Sequence, residues 1–370
     1  MIRTLEHKII AFVILNSILC FFIPQSISAQ SSGPLVIRRV GLDSKTINPS
    51  EEQTVTLSFE VTKPAKIQVH LYDRLGHEVR SFDLSDVQAG KHSITWDGYK
   101  YNGHLASGDI FLYVIEADDG QTEVIYNPAK ETGVKIVKAQ QFTLDRKTGT
   151  FEYVLPNTCM IRLRTGLKNG MLARTLIDWQ PCTAGRHTYK WDGKDESGLM
   201  DLSNHPELDI NLVCCTLPGN TIIFAGPTKP FESSAKYIRP EGGEDKDPWF
   251  RKGKYLHYTH DPSSCHEPKF TVSFPNSKRH KEEEIPVVSD TAKVRIELDQ
   301  RDVRYLINKR FEIMLYVDGV YFFEMEEGSS PLTFNWNTKG LRKGLHILTV
   351  NIMSYDGHIG VVSSRIIVGE

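Results

Sequence analysis

Residues 89–98 read Ala89-Gly-Lys-His-Ser-Ile-Thr-Trp96-Asp-Gly98, and residues 184–193 read Ala184-Gly-Arg-His-Thr-Tyr-Lys-Trp191-Asp-Gly193. Each copy is a short alternating run ending in a tryptophan, then an Asp-Gly turn. Alternation of period two marks a half-buried strand. The resemblance extends outward. Ile67 to Asp73, Gly76, Arg80 and Gly103 recur as Ile161 to Arg164, Gly170, Arg174 and Gly198, at an offset of 94 residues that becomes 95 after one insertion. Self-similarity at that spacing means duplicated domains, not a short solenoid repeat.

The flanks are also β in pattern. Residues 53–61, 66–72 and 110–117 alternate apolar and polar, and Asn169-Gly170 supplies the positive φ of a tight hairpin. No long segment shows a helical period. Frequent short strands with turns every 8 to 12 residues predict antiparallel sandwiches.

The strand ending Leu71-Tyr-Asp73, the turn at Gly76, the Ala89 to Gly98 segment, and the closing elements Gly103, Ser107-Gly108 and Ile110 to Ala117 together resemble the FlgD-type Ig-like domain. The second copy departs from the pattern after Gly193, where Leu199 to Leu208 lengthen the closing turn. The resemblance implies an Ig-like fold used as a scaffold or connector, and it does not imply flagellar capping.

Eight of the 18 prolines lie between Pro227 and Pro286, and proline cannot sit in central sheet. A third module follows. Phe311 to Val317 and Tyr321 to Met325 flank Asp318-Gly319, a hairpin signal, and Leu332 to Trp336, His346 to Ile352 and Val361 to Val368 are strand-like. This module is similar to bacterial Ig-like domains appended to secreted proteins. The expected fold is all-β, with three tandem Ig-like antiparallel β-sandwiches. The division is a signal peptide (1–29), two FlgD-type units (35–138 and 139–226), a proline-rich connection (227–268) and a C-terminal Ig-like unit (269–370).

The first thirty residues predict the compartment. Arg3 and Lys8 precede the apolar run Ile9 to Ile23, and small residues ending near Ala29 follow, the order of a secretory signal peptide. The run is shorter than the ~20 apolar residues of a membrane span. With 44 basic and 46 acidic side chains among 370 residues, the net charge of −2 supplies no field for nucleic acid. The expectation is a secreted, periplasmic or surface protein with no membrane span after cleavage and no cofactor. Its partners would be other exported or cell-surface proteins, with glycans as a second class.

No nucleophile elbow or phosphate loop is present, so no catalytic residue is assigned. His92 and His187, at equivalent strand starts, are expected to satisfy turn carbonyls. Asp192, Asp195 and Glu196 read as a solvated turn rather than a calcium loop. The densest metal-capable segment is His257, His260, Cys265 and His266, whose imidazoles and thiolate suit zinc or copper. Trp179, Trp249 and Tyr258 are the candidate glycan contacts. Five cysteines remain after signal cleavage. Cys159 and Cys182 fall opposite one another about the Asn169-Gly170 hairpin and are the expected disulfide. Cys214 and Cys215 face opposite sides of a strand, so only one can reach Cys265.

Overall fold

The computed structural model describes residues 33–73, 77–106, 109–129, 135–225, 267–280, 284–306, 311–355 and 357–369. Residues 1–32, most of the proline-rich connection, and with it His257, His260, Cys265, His266, Trp249 and Tyr258, lie outside the described residues.

The chain is almost wholly β and forms three pairs of sheets. In the first unit β1 (Ile37–Leu42), β3 (Val55–Val61) and β6 (Gly90–Trp96) form one sheet in the order β1-β3-β6. Facing it are β2 (Thr46–Ile47), β4 (Ala65–Asp73), β5 (Glu78–Val87), β7 (Ile110–Asp118) and β8 (Glu123–Tyr126). Alternation drives this arrangement. Val55, Leu57, Phe59 and Val61 point inward from β3, Ala65, Ile67, Val69 and Leu71 from β4, and all eight join one core with Trp96.

The second unit repeats the plan. β10 (Gln140–Asp145), β11 (Thr150–Leu155) and β14 (Gly185–Lys190) make one sheet, opposed by β9 (Ile136–Val137), β12 (Cys159–Leu167), β13 (Leu172–Cys182) and β15 (Leu208–Thr216) in the order β13-β12-β15-β9. β16 (Thr221–Phe224) follows β15 in the chain but leaves this unit, as described below.

In the third unit β17 (Phe270–Ser273), β20 (Thr291–Leu298) and β23 (Leu332–Asn337) form a three-stranded sheet. It faces a six-stranded sheet of β18 (Lys278–Arg279), β19 (Pro286–Val288), β21 (Phe311–Val317), β22 (Val320–Met325), β24 (Gly344–Ser354) and β25 (Ile359–Val368). A seven-residue helix, α1 (Gln300–Leu306), follows β20. Its first turn is held by the Asp299 carbonyl, which accepts from the amides of Asp302 and Val303. Two turns are too short to show a helical period in sequence, so the strand reading overlooked it.

The first and second units exchange closing strands. In the third unit β25, which directly follows β24, pairs antiparallel to it and parallel to β19. The matching slot in the first unit lies antiparallel to β7 and parallel to β2, and it is filled by β16, roughly a hundred residues downstream. The slot beside β15 in the second unit is filled by β9, from the segment that leaves the first unit. The expected boundary at residue 139 is therefore crossed in both directions. The amides of Ile223, Phe224 and Ala225 donate to the carbonyls of Lys45, Asp109 and Ile47 at 2.7–2.9 Å. Phe224 packs between Trp96 and Phe111, with ring centroids 5.3 and 4.4 Å away.

Candidate interaction surface

Both tryptophan turns are built alike. Trp96 Nε1 donates to the Tyr99 carbonyl at 3.0 Å and Trp191 Nε1 to the Lys194 carbonyl at 2.9 Å, while Asp97 and Asp192 accept the amides two residues on. Gly98 and Gly193 have φ of +85° and +80°, and a Cβ on either would stand 2.7 Å from Pro49 or 2.8 Å from Ser203. Only glycine meets both demands. The histidines act as expected. Nε2 of His92 lies 2.7 Å from the Gln88 carbonyl, and Nε2 of His187 lies 2.7 Å from that of Thr183. His346 makes the same bond to the Arg342 carbonyl at 2.6 Å. Each histidine follows a glycine with φ between +122° and +138° by two residues.

The Asp192 to Glu196 loop is occupied by its own chain. Asp195 is fully buried and Oδ1 accepts the amides of Leu199 and Met200, and Asp192 pairs with Arg174 at 3.0 Å. No group of three or more His, Cys, Asp or Glu side chains is disposed to hold a metal among the described residues.

Trp179 is not an exposed platform. It is 4 % exposed, and it packs with Met160, Cys215, Ile110 and Ile223 where the first and second units meet. Arg162 lies over its ring, 4.7 Å from the centroid. The cause is a bulge. Between the Ile161↔Gln180 and Leu163↔Ile177 pairs β13 carries an extra residue, and Trp179 itself has φ +45°. Such a bulge breaks the alternation and re-aims the side chain, here onto the neighbouring unit. A glycan cannot stack on a ring buried in this way.

The second and third units are joined by polar bonds. Asn351 on β24 acts as a strand partner: its Nδ2 donates to the Leu172 carbonyl at 2.9 Å, and its Oδ1 accepts the Leu172 amide at 2.8 Å. Ser197 Oγ exchanges two bonds with the backbone of Ser363 at 2.9 and 3.1 Å, and Arg164 reaches the Ile359 carbonyl at 3.2 Å. Tyr316 projects from β21 into the core of the second unit. Near this junction Glu267 is buried, and desolvation pushes its carboxyl up from the ordinary range, offset in part by Lys269 and reinforced by Glu196 and Asp178.

One of the open sheet edges carries apolar side chains. β22 ends the six-stranded sheet, and no described strand pairs on its outer side. Val320, Tyr321 and Phe322 on it are exposed, at 69, 54 and 39 %. A free edge carrying apolar side chains is a template for another strand. The sequence showed the hairpin at Asp318-Gly319 but not which of its strands would be left unpaired.

Cys159 and Cys182 are direct cross-strand partners, as the hairpin spacing implied. Their thiols are free: Cys159 Sγ donates to the Asn157 carbonyl at 3.2 Å, and Cys182 Sγ stands 3.7 Å from His187 Nδ1. The expected disulfide is thus not formed in the structure.

Sandwich pairs, a tryptophan at each sheet end and closing strands in this order define an Ig-like β-sandwich protein. Within it, residues 44–121 are a FlgD-type Ig-like domain, matching the FlgD Ig-like domain family over that span. The basal-body rod modification protein FlgD of Escherichia coli (strain K12) is 33 % identical over 84 residues, 21 % of this chain and 36 % of that protein. Its counterpart in Salmonella typhimurium is 29 % identical over 76 residues, 20 % of this chain and 33 % of that one. The chain spans about a third of the length of these curated relatives. Among solved structures, a chain from a study of host cell surface retention of a 1.5-MDa bacterial ice-binding adhesin aligns over 91 % of this chain and 99 % of its own, at 12 % identity and a TM-score of 0.19. A tetra-tandem repeat in the extending region of a large adhesion protein aligns over 90 % and 74 %, at 11 % identity and a TM-score of 0.18. No helix among the described residues is long and apolar enough to cross a membrane.

Proposed function

We propose that this chain is an exported, non-enzymatic structural component of an envelope or extracellular assembly, which joins other exported or cell-surface proteins through its Ig-like units. The second unit is read as a further FlgD-type copy, on its repeated Ala-Gly-x-His and Trp-Asp-Gly segments. The observation that carries the reading is the free β22 edge with Val320, Tyr321 and Phe322 exposed. A partner supplying an extended segment would take its backbone bonds from this edge and bury these side chains. The exchanged strands and the Asn351 junction support the role by coupling the units, so that load or orientation passes along the chain.

The test is affinity capture of the tagged, processed protein from envelope and medium fractions, run beside a Tyr321→Lys/Phe322→Lys variant. A defined set of exported proteins lost in the variant supports the edge reading. Recovery of the protein alone from the soluble fraction opposes the assembly role, and an unchanged set opposes the edge.

A further inference from the structure

The inner face of the second unit's four-stranded sheet holds three cysteines. Cys159 on β12 is opposed by Cys182 on β13, and Cys214 on β15 is opposed by Ile161, two positions further along β12. The first unit provides an internal comparison. There the corresponding cross-strand pair is Ala65 opposite Val87, and the position matching Cys214 is Ala117, opposite Ile67. The pair that is apolar in the first unit is thus cysteine at both positions in the second.

Geometry selects between the possible bridges. Directly opposed residues of an antiparallel ladder have Cα atoms about 4.5–5.5 Å apart, inside the ~4.4–6.8 Å range of a disulfide. Cys214 is diagonal to Cys159, a separation of about 7–8 Å, and is two strands from Cys182, about 9–10 Å. Neither reaches without moving backbone. Cys215 faces the other side of β15, in the junction with Trp179.

The surroundings also distinguish the two thiols. The Thr183 carbonyl can only accept, so the Nε2 that bonds it carries the His187 ring proton and Nδ1 is a bare acceptor. That lone pair faces Cys182 Sγ at 3.7 Å, and Tyr153 stacks on the same ring with centroids 5.6 Å apart. Cys182 lies on an edge strand and is partly exposed, whereas Cys159 is fully buried. Burial raises both thiols, Cys159 up to about 12 with the neighbouring cysteines adding to it, while a hydrogen bond to the Tyr153 side chain offsets part of the rise at Cys182.

We propose that Cys182 and Cys159 form a thiol–disulfide exchange site, Cys182 as the attacking sulfur and Cys159 as the resolving one. The oxidant is a small or protein disulfide. His187 Nδ1 takes the Cys182 proton, and the thiolate attacks one sulfur of the oxidant, breaking its S–S bond and expelling a thiolate that recovers that proton. Cys159 then gives up its proton and attacks Cys182 Sγ in the mixed disulfide, expelling the second thiolate, which is protonated in turn. Two electrons pass from the two cysteines to the oxidant, which leaves as two thiols. The product clamps edge strand β13 to β12, and Cys214 stays a thiol.

The test uses the full reduced chain with oxidised glutathione, followed by alkylation and a non-reducing peptide map. A Cys159–Cys182 linked peptide is expected, with Cys214 alkylated only after unfolding. Cys159→Ala, which installs the first unit's residue, should trap one glutathione on Cys182, and His187→Gln should slow that adduct at neutral pH at least roughly tenfold. A Cys159–Cys214 link, or both Cys159 and Cys182 recovered as free thiols from the natively folded chain, overturns the proposal. Should Cys159→Ala fail to fold, the time course on the parent chain decides alone, because an adduct at Cys182 must precede the link.

Discussion

Replacing Phe224 by alanine should destabilise a domain whose matched sequence ends about a hundred residues earlier. Phe224 is 4 % exposed and packs on Trp96 and Phe111 in the core of the first unit. Truncating a buried phenylalanine to alanine costs about 3–5 kcal/mol, the lost transfer energy plus the cavity left behind. At about 1.4 kcal/mol per tenfold change, opening of the first unit becomes on the order of 10²- to 10³-fold more frequent. Hydrogen exchange read peptide by peptide is the suitable assay, since the slowest amides report global opening of their cooperative unit. Protection should fall by that factor in 110–118 and 55–61, strands to which Phe224 is remote in sequence, and Phe224→Leu should recover most of it. If only 221–224 loosens while 55–61 and 110–118 keep their protection, β16 is an appendage and the exchanged-strand account is wrong.

Three other outcomes follow from the same structure. Asn351→Ala leaves the Leu172 amide and carbonyl without their partner, at about 1–3 kcal/mol for each buried group stranded; small-angle scattering and limited proteolysis should then show the third unit loosened from the second. Gly193→Ala forces a Cβ into φ +80° and against Ser203, which should cost about 1–3 kcal/mol and lower the Tm of the second unit, whereas Gly219→Ala, with open space around it, should be near neutral. The third unit should weaken with rising pH through His346. Burial opposes charging this ring, but the Asp318 carboxylate at 2.6 Å and the Arg342 carbonyl outweigh it and raise its pKa. The stabilisation is therefore fully present below the unfolded value near ~6.5 and is lost as pH climbs through the raised one. The stability difference between the parent and His346→Gln, measured by urea unfolding at several pH values, should shrink from acid to alkaline conditions; a constant difference refutes the assignment.

The legible parts were those set by local chemistry. Alternation at Val55, Leu57, Phe59 and Val61 marked an inward strand face because successive side chains in a strand point to opposite sides. The Asn169-Gly170 hairpin placed Cys159 opposite Cys182, and the His–carbonyl bonds were readable because donor and acceptor are four residues apart. Trp179 was misjudged because a bulge redirects it, and a bulge leaves no mark in a pattern of apolar spacing.

The sequence alone thus determined the strands, their turns and the repeated Trp-Asp-Gly ends, all of which depend on contacts within a single hairpin or turn. Which strand closes which sandwich was decided only by the tertiary structure. β9 spans two residues and β16 four, and a short apolar segment has no local feature that distinguishes its own sheet from a neighbour's. The same holds for β7, where Ile110 faces the junction while Phe111 faces the core. Burial on both faces comes from a neighbouring unit, and that unit's position is a property of the folded chain.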